Sequence, residues 1–131
     1  MSAAIGSSAY EYVVLRCVPR AHREEFLNVG VVLHSQDADL LAAAWHVDPE
    51  RLRALDPSVD PADLETALGF VDAVCAGDAA AGGAAAGGTR SSRFGYLKAP
   101  RSTVLRPGPV HGGVTEDPQA CLDRLLEILV R

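Results

Sequence analysis

The sequence predicts an α+β fold: an antiparallel sheet that begins with a three-stranded meander, helices packed on one face, and one or two further short strands before a C-terminal helix. Three observations lead there. Runs rich in Val, Leu and aromatic residues crowd the first third of the chain. The links between these runs are too short for the crossover that parallel strands require. Apolar stripes at helical spacing follow, each introduced by an Asp-Pro pair. At 131 residues, 48% hydrophobic and 22% charged, the chain fits one domain, residues 1–131, with one core.

Residues 10–18 and 26–34 form the first two expected strands, and 38–47, ending with Trp45 and Val47, a weaker third. Ser35, Gln36 and Asp37 suit a tight turn, and the link at 19–25 also forces an antiparallel return. Alternation assigns Leu27, Val29, Val31 and Leu33 to the core face, and Phe26, Asn28, Gly30, Val32 and His34 to the other. The first strand divides likewise into Val13, Leu15 and Cys17 against Tyr12, Val14 and Arg16. Arg16, Asn28 and His34 therefore mark a half-polar face, suited to the floor of a shallow cleft.

Helix starts are legible because Asp-Pro recurs at Asp48-Pro49, Asp60-Pro61 and Asp117-Pro118. The carboxylate accepts free first-turn amides, and proline at the first helical position loses no hydrogen bond. Helices are expected at about 49–55, 61–76 and 118–130, with Leu64, Leu68, Val71 and Cys75 striping the second and Cys121, Leu122, Leu125, Ile128 and Leu129 the third. The Ala/Gly tract at about 77–89 reads as a flexible loop, since each glycine costs roughly 1 kcal/mol in a helix relative to alanine. Short strands are expected at 102–106 and 110–115, around Pro107-Gly108-Pro109.

Composition excludes several classes of function. The first nine residues lack a basic stretch followed by an apolar one, and no apolar run approaches the roughly 20 residues of a membrane span, so a soluble cytoplasmic protein is expected. Cys17, Cys75 and Cys121 lie far apart within apolar patterns and read as buried reduced thiols. His22, His34, His46 and His111 share no metal-ligand spacing, and neither a phosphate-loop glycine pattern nor G-x-S-x-G occurs. No metal and no cofactor are expected.

Charge is distributed unevenly. Residues 90–106 hold five of the twelve basic residues (Arg90, Arg93, Lys98, Arg101, Arg106) and none of the seventeen acidic ones. The remainder is about ten units negative, so this segment is a docking place for an anionic ligand or an acidic partner. Arg101, Ser102 and Thr103 have the chemistry to receive a carboxylate or phosphate, through a bidentate guanidinium and two hydroxyls, with Arg93 beside them and His111 completing the pocket. Arg16 and Asn28 join this set if the segment crosses the polar sheet face. Otherwise Arg16 pairs with Glu24 or Glu25 and Asn28 bonds loop backbone.

The blocks Tyr10-Glu11-Tyr12-Val13-Val14-Leu15-Arg16-Cys17-Val18-Pro19-Arg20 and Arg23-Glu24-Glu25-Phe26-Leu27-Asn28-Val29-Gly30-Val31-Val32-Leu33 resemble the start of a bacterial family catalogued as domain of unknown function 3037. Arg93-Phe94-Gly95 and Ala99-Pro100-Arg101-Ser102-Thr103-Val104 through Pro109-Val110-His111 resemble its C-terminal half. The family has no settled activity. Its members are often encoded beside kinases similar to HipA, so the resemblance implies a kinase as one candidate partner. Arg106 and Gly108 depart from the family pattern, which has a neutral polar residue and serine at those places.

The function expected is a non-catalytic accessory or binding domain that docks an acidic partner protein or anionic ligand through residues 90–106. Two alternatives stand beside it. Phe94 and Tyr96, interleaved with Arg93 and Lys98, suit nucleotide or nucleic-acid binding, although overall acidity opposes this. A small hydrolase or transferase would use Arg101, Ser102 and His111, with Glu24 or Glu25 as base.

Overall fold

The computed structural model describes residues 6–131. Its elements follow the order β1 (Ser8–Cys17), β2 (Leu27–Ser35), β3 (Leu40–Trp45), α1 (Pro49–Leu55), α2 (Pro61–Ala76), α3 (Ala79–Gly82), α4 (Arg90–Lys98), β4 (Leu105–Pro107), β5 (His111–Thr115) and α5 (Pro118–Leu129). The fold is α+β. The short links impose antiparallel pairing on β1, β2 and β3, giving the meander. Chain order then resumes on the other edge of β1, where β4 pairs with Leu15–Cys17 and β5 with Ser8–Tyr12.

The Asp-Pro pairs act as caps. Asp48 accepts from the Glu50 amide at 3.0 Å, Asp60 from Ala62 at 2.9 Å and Asp117 from Ala120 at 3.1 Å. In each case the proline takes the first helical turn.

A β-bulge changes the facing of β2. Leu15 lies opposite Gly30 but Arg16 opposite Asn28, so Val29 has no partner on β1. Val29 and Val32 consequently share a core cluster with Val13, Leu15 and Cys17, whereas Val31 and Leu33 belong to a second cluster. Simple alternation had placed Val29 with Val31 and Leu33. Gly30 permits a close approach to β3, since a Cβ there would meet the Trp45 Cβ at 3.0 Å.

The helices divide between the two sheet faces rather than gathering on one. Leu52 of α1, Leu68 and Val74 of α2, and Phe94 and Leu97 of α4 pack on the first cluster. Cys121, Leu122 and Leu125 of α5 pack on the second, with Tyr10 and Tyr12. From Val29 to Ser35 every residue of β2 is buried, and an apolar strand of that kind needs a cover on each side. The face of Arg16 and Asn28, expected to be an open half-polar floor that also carried His34, is therefore roofed by α5, and the bulge leaves His34 on the opposite face against Phe94.

Two further departures concern 77–98. The Ala/Gly tract, expected as an open loop, forms α3 and a 3₁₀ turn at Gly83–Ala86, with Gly82 and Ala86 buried. A Cβ on Gly82 would lie 2.7 Å from that of Ala86, so the glycine admits this packing. The first half of the basic segment is a helix, α4, capped by Thr89, whose hydroxyl accepts from the Ser92 amide at 3.1 Å. Its buried Phe94 and Leu97 hold it to the sheet.

Cys17, Cys75 and Cys121 are free and buried. Burial raises the Cys17 thiol and pushes Cys75 up to about 12, so both remain protonated and weakly reactive at neutral pH. No helix among the described residues is long and apolar enough to cross a membrane.

Candidate functional site

The chain between α4 and β4 leaves an open groove against α2. Leu15 lies at its base, Phe70 and Val71 of α2 and Tyr96 and Leu97 of α4 form its walls, and residues 101–107 complete it. Its volume is about 420 Å³. Phe70 and Tyr96 meet edge to face with centroids 6.4 Å apart, and Phe70, Tyr96 and Val104 all stay partly exposed, at 37%, 40% and 44%. The charged residues lining the groove are Arg101 and Arg106, and no acidic residue joins them.

Arg101 is held in place. Its guanidinium lies 4.4 Å from the Tyr96 ring centroid and donates to the Tyr96 and Ala99 carbonyls. Arg106 donates its Nε–H to the Thr103 carbonyl at 2.8 Å, and the Thr103 hydroxyl donates to the Leu105 carbonyl at 2.7 Å. A guanidinium carries five N–H donors, so both arginines keep donors to spare for an incoming carboxylate or phosphate. The groove thus combines an apolar seat with a purely cationic rim.

The predicted site residues separate into three places. Arg101 and Thr103 line the groove, with the exposed Ser102 between them. Arg93 is elsewhere, donating to the Val74 carbonyl at 2.9 Å, Gly88 at 2.8 Å and Cys75 at 3.4 Å. It closes the C-terminal end of α2, where the last carbonyls lack helical partners and the helix dipole favours a cation.

Arg16, Asn28 and His111 lie toward the α5 side of the sheet. Arg16 and Asn28 are cross-strand partners, and the Asn28 amide donates to the Leu129 carbonyl at the end of α5, at 3.1 Å. His111 stacks on Tyr12, with centroids 5.2 Å apart, and Tyr12 packs against the α5 cluster. These three therefore do not converge with Arg101, and Ser102 and His111 form no catalytic pair.

The expected ion pair from Arg16 to Glu24 or Glu25 is absent among the described residues, because Glu25 pairs with Arg23. Arg16 instead lies 4.2 Å from the Phe26 ring centroid and against Gly108, where a Cβ would come within 2.9 Å of its Cζ. Its Nε and the Asn28 Oδ1 are buried with no hydrogen-bond partner among the described residues.

The aromatic residues also divide. Phe94 is 1% exposed and unavailable for stacking a base, while Tyr96 is already covered by Arg101. Sequence reasoning missed Phe70 and Val71 as groove walls. The signal available was the exposed flank of the α2 stripe, where Phe70 stands beside Val71. Among the described residues, no group of three or more His, Cys, Asp or Glu is placed to hold a metal ion.

No curated protein and no solved structure matches the chain. A family model described as a protein of unknown function (DUF3037) matches residues 12–130, which take in β1 from Tyr12 onward, the other strands, the groove and α5. The match covers nearly the whole chain, and the chain belongs to the DUF3037 family.

Proposed function

We propose that the protein is a non-catalytic binding domain that seats an acidic segment of a partner protein in the groove between α2 and α4. The observation that carries this reading is the groove's composition: an apolar seat of about 420 Å³ whose charged wall residues are Arg101 and Arg106 alone. An apolar side chain of the partner fills the seat beside Phe70 and Tyr96, and flanking carboxylates take the spare guanidinium donors. The acidity of the rest of the chain steers such a segment toward this patch and away from other surfaces.

A kinase similar to HipA, implied by the family resemblance, is the first partner to test. Purified kinase is titrated onto the wild type and onto Arg101→Ala, Phe70→Ala and Lys98→Ala, at about 0.1 M and about 1 M salt, between which the Debye length falls from about 10 Å to about 3 Å. Affinity is expected to fall with salt, and to fall more for Arg101→Ala and Phe70→Ala than for Lys98→Ala, whose ammonium lies over the Phe94 ring away from the groove. Salt-insensitive binding that survives Arg101→Ala and Phe70→Ala rules out the groove.

Two other readings are weaker. Nucleotide or nucleic-acid binding through the basic segment loses two of its contributors, since Phe94 is buried and Arg93 is engaged with α2. Hydrolysis or group transfer through Arg101, Ser102 and His111 requires residues that lie toward opposite faces of the sheet.

A further inference from the structure

Away from the groove, another side of α4 borders a cleft that shares none of the groove's lining residues. Two adjoining hollows of about 330 and 160 Å³ share His34, Gln36 and Ser91. His34 is 9% exposed, its ring held 5.2 Å from that of Phe94. Its ring nitrogens make no hydrogen bond to protein among the described residues, yet they are not sealed from the hollow. The ring is packed against Phe94 while its nitrogens open to the hollow, where the polar atoms of a ligand can reach them.

The charges around it are equally uncommitted. Glu11, directly opposite His34 on β1, and Arg90 and Lys98 on α4 all act electrostatically on the imidazole. None of the three forms an ion pair among the described residues. Asp37, the acid of the adjacent turn, is already engaged as acceptor from the Ala9 amide at 2.9 Å, and Asp39 lies at the far side beside Arg90. Burial, together with the two cations, lowers the His34 pKa against the opposing pull of Glu11, which keeps the ring neutral and able both to donate and to accept. The first turn of α4 borders the same space through Thr89, Arg90 and Ser91, and its leading amides lack helical partners.

We infer that this cleft binds a small zwitterion of the α-amino-acid class, its carboxylate received by the first turn of α4 with Arg90 or Lys98, its ammonium by Glu11, and His34 bonding between them. Glu11 and Lys98 line one hollow and Arg90 and Asp39 the other, so the cleft offers both signs without joining them in ion pairs, which fits a ligand carrying both. A simple anion would face Glu11, and a simple cation would face Arg90 and Lys98.

The test is NMR of ¹³C-histidine-labelled protein, the His34 ring assigned through His34→Gln. Standard L-amino acids are added one at a time at about 10 mM, a concentration that detects dissociation constants in the millimolar range. Acetate, methylammonium and inorganic phosphate are added separately at the same concentration. At least one amino acid is expected to move the His34 resonances saturably, while acetate and methylammonium alone do not. Glu11→Gln and Lys98→Met, both changes in solvent-reachable side chains, are each expected to weaken that binding by about tenfold or more. If no amino acid moves the His34 ring, the inference is overturned. It is equally overturned if acetate or phosphate shifts the ring as strongly and Glu11→Gln changes nothing, which would identify an anion site instead.

Discussion

Replacing Arg93 with alanine should destabilise the fold by about 2–4 kcal/mol, the sum expected for charged hydrogen bonds to carbonyls plus a helix-end charge. The structure sets that range. Two of the three bonds are short, 2.9 Å to Val74 and 2.8 Å to Gly88, and the third, to Cys75, is long at 3.4 Å. Val74 and Cys75 end a helix that supplies much of one core cluster, and Gly88 leads into α4, so one guanidinium ties two helices together. The Gly88 carbonyl is exposed and regains water on truncation, which keeps the loss below the full sum. Equilibrium urea unfolding should show a midpoint lower by about 1–2 M, given a slope of about 1–3 kcal/mol per M for a small domain. Arg93→Lys should recover only part of this, because an ammonium cannot fork between carbonyls on two segments. Arg90→Ala, which removes an exposed charge from the same helix, should change stability by no more than about 0.5 kcal/mol. Equal midpoints for Arg93→Ala and Arg90→Ala would refute the capping role and return Arg93 to the candidate binding residues.

Arg16→Met should stay within about 1 kcal/mol of wild type, since an unpartnered buried Nε gives way to apolar volume, whereas Arg16→Ala should lose about 1–3 kcal/mol of packing on Phe26. Urea midpoints that are equally low for both variants would contradict this. Gly82→Val should destabilise by about 1–3 kcal/mol through collision with Ala86, and a thermal melt matching wild type would show that the 79–86 turns do not pack. Stability should also fall as pH drops below about 6.5, the ordinary histidine value, because the unfolded chain then takes up a proton that folded His34 resists. His34→Gln should flatten that part of the pH profile, and an unchanged slope would show that the imidazole does not resist protonation.

Much of this architecture follows from the amino-acid sequence because the governing interactions are local. An aspartate reaches amides two or three residues ahead, so Asp48, Asp60 and Asp117 mark their helices without reference to the rest of the molecule. Short links force antiparallel strands by geometry alone, and the apolar settings of Cys17, Cys75 and Cys121 foretell their burial. The uneven charge of residues 90–106 is likewise plain in the sequence, and Arg101 and Thr103 do line the groove.

What remained hidden depends on partners distant along the chain. One unpaired residue, Val29, reversed the facing of half of β2, and a bulge depends on how two strands settle against each other. Arg93 left the site because the carbonyls it serves belong to a helix end 18 and 19 residues earlier. α4 escaped notice because its core-facing positions are only Phe94 and Leu97, too few to outweigh serine, glycine and charge until a core receives them. Sequence by itself determined the meander, the three Asp-Pro-capped helices, their order and the location of the positive charge. Tertiary packing decided which face each element covers, and so which of those charges still point into a groove, because burial and hydrogen-bond satisfaction are settled between segments and not within them.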